Sequence, residues 1–135
     1  MGLPIIQYIV QMVKSIADLG NKIIDSADNE KYTKAVNSLN KNVDETYEKM
    51  RELIEKDETL TIEQKLEKLE KLANSQIAAK QGCDEVLKGN REHIHKIVSE
   101  VFLGLTTCGI SYVPKIIGSK KRIKQIENNE IKYIE

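Results

Sequence analysis

The chain has 135 residues, and 21 Lys and Arg balance 21 Asp and Glu, so its formal net charge is zero although 31% of the residues are charged. This length is typical of one domain with a sizeable core. Hydrophobic residues make up 40% of the chain, too many for a disordered tail, and 7 Gly and 2 Pro are too few for a turn-rich β-sandwich. The zero net charge argues against a general nucleic-acid binder, which carries a basic excess over the whole domain.

The first segment is amphipathic with a wide apolar face. Apolar residues recur at alternating intervals of four and three, which predicts a helix, and a second flank is apolar as well. We therefore expect this helix to be covered on more than one side. The first row comprises Ile5, Ile9, Met12, Ile16, Leu19 and Ile23, and the second flank comprises Ile6, Val10, Val13, Ala17 and Ile24.

The middle of the chain predicts a charged, coiled-coil-like hairpin of two helices over residues 28–57 and 61–88. Asp28 is expected to be the N-cap of the first, and Thr61 with Gln64 a capping box at the start of the second. Each helix carries one apolar row that we predict to face the core, with Lys80 covering a gap in the second row by its aliphatic part. The rows are Tyr32, Val36, Leu39, Val43, Tyr47, Met50 and Ile54, and then Ile62, Leu66, Leu69, Ala73, Ile77, Cys83 and Leu87.

A fourth helix is predicted after Lys88-Gly89-Asn90, which is typical of a C-terminal glycine followed by a new N-cap asparagine. Pro114 is expected to kink or end this helix, with Gly118 as its limit. Its apolar row comprises Ile94, Val98, Val101, Leu105, Cys108 and Tyr112.

Four helices of about 22 to 28 residues with short connections predict an all-α fold, an antiparallel up-down bundle in one domain over residues 1–118. In the alternative, helices three and four form one continuous rod through Gly89, because a glycine inside a helix costs only about 1 kcal/mol. Residues 119–135 form a short basic tail of mixed character, either a short helix or a hairpin turning at residues 128–129.

The charges are distributed unevenly along the chain. Residues 28–100 hold 13 basic and 16 acidic groups, whereas residues 101–117 hold only Lys115. Segments 3–24 and 101–117 are therefore the apolar parts of the chain, and an up-down bundle makes them neighbours. Either they bury each other, or their combined surface leaves a patch for a partner.

These features lead us to expect a non-enzymatic interaction module that binds another protein or a second copy of itself. The binding residues are predicted on the first and last helices. They are Ile5, Ile9, Met12, Ile16, Val101, Leu105 and Tyr112.

The alternative is a small membrane-active or membrane-docked protein, such as a toxin or an immunity factor, that uses the two apolar segments. A basic cluster follows the second segment, as in juxtamembrane sequences, and would contact an anionic membrane surface. The uncharged run from Val101 to Pro114 is too short to span a bilayer. In a further reading the cluster is a solvated helix end, and nucleic-acid binding ranks last because no aromatic residues are interleaved with it. The cluster comprises Lys120, Lys121, Arg122 and Lys124.

No catalytic, metal or cofactor site is predicted. Glu92 and His95 make one Glu-x-x-His, whereas a di-metal helical bundle needs two such motifs and further carboxylates. Cys83 and Cys108 are expected to be reduced, buried thiols. The N-terminus lacks the basic region of a signal peptide, so we expect a cytoplasmic protein.

Overall fold

Within residues 2–110 the chain forms four helices, so the predicted all-α bundle is confirmed. The computed structural model describes residues 2–110, with side chains from residue 4. Pro114 itself, the predicted domain boundary at residue 118 and the predicted tail over 119–135 lie outside the described residues. The helices are α1 (Gly2–Asp25), α2 (Asn29–Glu55), α3 (Ile62–Leu87) and α4 (Ile94–Thr107), with a 3-10 turn over Arg91–His93 before α4.

The predicted N-terminal caps of α2 and α3 are both present. The Asp28 carboxylate accepts hydrogen bonds from the amides of Glu30 and Lys31, at 2.8 and 3.1 Å. Thr61 and Gln64 form the reciprocal capping box, in which each side chain accepts from the other residue's amide at 3.1 and 2.9 Å. These bonds satisfy amides that have no partner within the helix, and so they define where each helix begins.

Glycines in the left-handed region end both α3 and α4. Gly89 has a φ of 105° and Gly109 a φ of 76°. At each site the glycine amide and the next amide bond back to the helix, as when Gly109 donates to Thr106 at 2.9 Å and Ile110 to Leu105 at 2.9 Å. This is the Schellman arrangement, which satisfies the last carbonyls of a helix.

Three expectations are corrected here. Helices three and four are not one rod, because the chain turns at Gly89. Helix four is 14 residues long and ends at Thr107 rather than at Pro114, because the turn at Gly109 closes it first. Asn90 does not cap it either, since its side-chain amide donates to the Glu85 carboxylate at 2.9 Å.

Neighbouring helices run antiparallel, and side chains connect their ends to the backbone of the next element. At one end of the bundle, Lys65 donates to the Glu55 carbonyl and Lys68 to the Thr107 carbonyl, both at 2.8 Å. At the other end, Arg91 donates to the carbonyls of Ile23 and Ile24, at 3.1 and 3.0 Å. The C-terminus of α1 thus lies beside the turn that leads into α4.

The apolar row of α2 faces the core as predicted, and every member of it is buried. The segments 3–24 and 101–117 were expected either to bury each other or to leave a patch. In the described residues α1 and α4 contribute largely to the core. Their buried apolar residues are Ile9, Val13, Ile16, Ala17, Ile23, Ile24, Ile94, Ile97, Val98, Val101, Phe102 and Leu105.

The prediction for α3 is wrong about which face is inside. Of the predicted row only Cys83 is buried, whereas Ile62, Leu66 and Ile77 are among the most exposed apolar side chains of the described chain. A line of smaller side chains faces the core instead, and it lets α3 approach its neighbours closely. A Cβ at Gly82, for example, would lie 2.8 Å from Cγ1 of Ile97 on α4. The buried face comprises Leu72, Ser75, Ala79, Gly82, Cys83 and Val86.

Candidate functional site

Most residues predicted to bind a partner lie inside the bundle. Ile9 is fully buried, and Ile16, Val101 and Leu105 are each 1% exposed. Ile5 and Met12 are half-buried, and Tyr112 lies outside the described residues. The partner-binding role of this set stays a prediction, and in the folded monomer four of its members contact other core residues rather than solvent.

Exposed apolar side chains of the described residues include a row along α3, which we call the α3 row: Ile62, Leu66, Leu69, Ala73 and Ile77. Ile62 is 77% exposed, Leu66 62% and Ile77 57%, whereas Leu69 is half-buried against the core. The row spans 15 residues and is therefore about 22 Å long at 1.5 Å per residue. Large exposed aliphatic side chains at Ile62, Leu66 and Ile77, on one face of a capped helix, are typical of a helix-binding surface.

The α3 row is exposed because α3 is apolar on two faces and the bundle covers only one of them. The smaller residues face α2 and α4, and the larger aliphatic residues are left outside. Lys80 extends the row and was expected to cover it, but its ammonium points to α2, where it bonds Asn40 and pairs with Asp44 at 2.8 Å. Lys80 lies within the row that was predicted to be buried, and this lysine is the feature of the sequence that indicates an exposed face.

Two glutamates lie in line with the α3 row. Glu63 is three residues before Leu66, and Glu70 is four residues after it, so helical geometry places all three on one stripe. Both glutamates are exposed. Neither forms an ion pair within residues 2–110.

None of the four lysines of α3 forms an ion pair with these glutamates. Lys65 and Lys68 donate to backbone carbonyls, as described above. Lys71 pairs with Glu67 at 3.5 Å and Lys80 with Asp44. The α3 row is therefore an apolar stripe with a locally acidic border.

A second exposed feature is the groove between α3 and α4. It is lined by Leu60 and Ala78 and by Leu103 of α4, with Lys68, Lys71 and Glu100 among its polar residues. Its walls include Ser75, whose hydroxyl lies 2.6 Å from that of Tyr47. Both hydroxyls also contact the Glu100 carbonyl at 2.9 Å. Burial raises the pKa of the Tyr47 phenol, so this cluster holds three helices together as neutral groups.

Both cysteines are free thiols; Cys83 is buried as predicted, whereas Cys108 is half-buried. Burial raises the pKa of Cys83 to about 11 and that of Cys108 to about 12. A raised pKa keeps the thiol protonated at neutral pH, and the thiolate is the reactive form. Neither cysteine is therefore set up as a nucleophile.

Within residues 2–110 no three His, Cys, Asp or Glu side chains converge into a group that would hold a metal ion. Over the same residues, no helix combines the length and the apolar character that crossing a bilayer requires. The basic cluster of Lys120, Lys121, Arg122 and Lys124 lies outside the described residues, so contact with an anionic membrane surface stays a prediction.

No family model, curated protein or solved structure matches this chain. Its function is therefore inferred from the residues of the bundle.

Proposed function

We propose that this protein is a helical protein-binding module and that the α3 row is its binding surface. The class of function is the one expected from the sequence. The binding surface is now proposed on α3 instead of on α1 and α4. The observation that carries the proposal is the exposure of Ile62, Leu66 and Ile77. The helix that bears them packs into the bundle through a different face.

The chemistry of the α3 row supports an amphipathic helix with basic flanks as the partner. An apolar stripe about four turns long matches the apolar face of a helix laid along it, read at intervals of three and four residues. Glu63 and Glu70 lack cationic partners within the described chain, so Lys or Arg beside the partner's apolar stripe would complement them. An acidic partner helix would be repelled by the same two carboxylates.

A pair of designed peptides tests this proposal. Both are helical and carry a leucine row and one tryptophan, and one has lysine flanks where the other has glutamate. The protein has no tryptophan, so the fluorescence of the peptide reports binding directly. We expect the lysine peptide to bind and its affinity to fall with added salt, because the charge contribution is screened. Equal affinity for the two peptides would contradict the proposed role of Glu63 and Glu70 in binding.

Paired variants locate the surface. Leu66→Gln with Ile77→Gln removes two exposed members of the α3 row, and we expect the lysine peptide to bind at least about tenfold more weakly, or 1.4 kcal/mol. The matched control is Leu103→Gln on α4, which is 54% exposed and lies outside the α3 row. Equal loss in the control, or no loss in the double variant, would reject the α3 row as the binding surface.

A further inference from the structure

We propose that a recess at Ala73 is the anchor pocket of the α3 row, and that the partner helix fills it with one aromatic side chain. A basic residue of the partner then lies opposite Asp84, beyond the recess. The inference rests on the proposed function, because it names the partner residues that this surface selects. Three observations support it: the shape of the row, the walls of the recess and the position of Asp84.

Ala73 is the small member of a row that otherwise consists of leucine and isoleucine. Ile77, one turn further along, is 57% exposed, so the surface dips at Ala73, which is itself open to solvent. The recess that both residues line has a volume of about 450 Å³. Pockets that hold a ligand measure about 300 to 1,000 Å³, so there is room for one large side chain. Packed helices place a large side chain of one into such a gap on the other.

Side chains bonded between α2 and α3 form one wall of the recess. Asp44 of α2 lines it together with Gln76 and Lys80 of α3. Both carboxylate oxygens of Asp44 accept hydrogen bonds, one from Gln76 at 3.2 Å and the other from Lys80 at 2.8 Å. The side-chain carbonyl of Gln76 accepts from Arg51 at 3.1 Å. A wall bonded in this way is ordered before a partner arrives, so filling the recess costs less conformational entropy.

The groups around the recess favour an aromatic side chain as its occupant. Ala73 and Ile77 offer apolar contact, and an aromatic ring buries a large apolar area while only two rotatable bonds are fixed. Lys80 also lines the recess, and its ammonium attracts the face of an aromatic ring but repels a lysine or an arginine. Tryptophan and tyrosine are, for the same reasons, enriched among the residues that dominate binding energy at protein interfaces.

Asp84 continues the line of the α3 row beyond the recess. It follows Ile77 by seven residues, so it lies on the same stripe of α3, about 10 Å further along. Its carboxylate is exposed and forms no ion pair within residues 2–110. Glu70 lies three residues before Ala73, so unpaired carboxylates stand on both sides of the recess. The matching partner helix therefore carries basic residues on both sides of its aromatic anchor.

Filling the recess within the full-length protein tests the anchor. Two fluorescein-labelled forms of the lysine peptide are compared by fluorescence anisotropy: one has its tryptophan in the middle of the leucine row, and the other has alanine at that position. We expect the unmodified protein to bind the tryptophan form at least about tenfold more tightly, or 1.4 kcal/mol. In Ala73→Leu the new side chain occupies the recess, so this preference should be lost. Ala73 is exposed, so the variant should remain folded.

The matched control is Ala78→Leu, which makes the same change on the same helix but in the groove between α3 and α4. It should keep the preference for tryptophan, and circular dichroism checks that both variants are folded. If the unmodified protein binds both peptides equally, or if Ala73→Leu keeps the preference, the anchor pocket is rejected while the proposed function stands. If neither peptide binds the unmodified protein, the proposed function fails and the inference fails with it.

A charge change at Asp84 tests the second contact. We expect Asp84→Asn to bind the tryptophan peptide about threefold more weakly and with a smaller dependence on salt, because one carboxylate opposite a lysine is lost. Asp18→Asn makes the same charge change at an exposed site on α1 and should leave both properties unchanged. Equal affinities of these two variants would overturn the assignment of a basic partner residue to Asp84.

Discussion

The hydroxyl oxygens of Tyr47 and Ser75 lie 2.6 Å apart in the interior, and both contact the carbonyl of Glu100 at 2.9 Å. Tyr47 is on α2, Ser75 on α3 and Glu100 on α4, so three helices meet at one set of hydrogen bonds. Most buried side chains are apolar, and apolar contacts alone would let helices slide by a turn at little cost, whereas buried polar groups are satisfied in one register only.

Removing the Tyr47 hydroxyl tests this relationship. We expect Tyr47→Phe to lower the free energy of unfolding by about 1 to 3 kcal/mol, because it leaves buried Ser75 short of a partner. Ser75→Ala should have a similar effect. The two changes together should cost less than their sum, since they remove the same interaction. Additive costs in urea unfolding would show that the two hydroxyls act independently.

The exposure of the α3 row makes a prediction about stability. Leu66→Gln and Ile77→Gln should each change the free energy of unfolding by less than about 0.5 kcal/mol, because both side chains are already in solvent. Leu72→Ala, on the buried face of the same helix, should cost about 2 to 5 kcal/mol. Urea unfolding of the three variants checks this. A large loss for Leu66→Gln would mean that the row is internal after all.

Close packing at Gly82 predicts a steric cost. An added Cβ would lie 2.8 Å from Cγ1 of Ile97, which is fully buried and branched at Cβ, so it has little freedom to move. We expect Gly82→Ala to destabilise the protein by about 1 to 3 kcal/mol, although alanine is the better helix former.

A second substitution serves as the control for Gly82. In the background of Ile97→Ala, Gly82→Ala should cost less, because the clashing atom is gone. Gly104→Ala offers a comparison, since there the nearest atom at 2.8 Å is the flexible end of Met50. We expect the smaller loss at Gly104, and the reverse order in thermal unfolding would contradict the packing described here.

Arg91 joins the C-terminus of α1 to the turn before α4. Its guanidinium donates to the carbonyls of Ile23 and Ile24 and lies 4.7 Å from the ring centre of Tyr32. We expect Arg91→Lys to lower stability by about 1 to 2 kcal/mol, because an ammonium lacks the planar face that stacks on the Tyr32 ring while Nη1 of Arg91 bonds both carbonyls. Lys96→Arg, on the exposed face of α4, is the conservative control. Equal stability of Arg91→Lys and the unmodified protein would reject this role.

The pKa of Asp57 predicts a dependence on acid pH. Its carboxylate accepts hydrogen bonds from the amide and the hydroxyl of Thr59, at 2.9 and 2.6 Å, which lowers the pKa of Asp57. A lowered pKa in the folded state contributes stability above the unfolded pKa, and this is lost as the pH falls through the folded value.

We therefore expect the Tm of the unmodified protein to fall more steeply between about pH 5 and pH 2 than that of Asp57→Asn, which has no charge to lose. Thr59→Ala should raise the pKa of Asp57 toward its ordinary range, as followed by carboxyl titration in NMR. If the Tm of all three proteins fell in parallel with falling pH, these hydrogen bonds would not couple the protonation of Asp57 to stability.

Local signals in the sequence account for the helices and most of their ends. Asp28, Thr61 with Gln64, and Gly89 are recognisable because capping depends on neighbouring residues only. The prediction for the core face of α2 is correct for a related reason. This helix has only one apolar row, so its periodicity identifies a single face that can be buried. On α4 the turn at Gly109 preceded the more conspicuous Pro114, and two closing signals in one segment cannot be ranked from spacing alone.

The sequence by itself determined that the chain forms an all-α bundle, where most of its helices begin, and that its charges are unevenly distributed. Only the tertiary structure decided which face of α3 is buried, because α3 has an aliphatic row and a row of small residues, and both repeat with helical period. Close approach of α3 to Ile97 and Tyr47 requires small side chains. The face that carries Ser75, Ala79 and Gly82 is therefore buried, and the α3 row is exposed to solvent. The candidate binding surface follows from that choice, which depends on the shapes of the neighbouring helices.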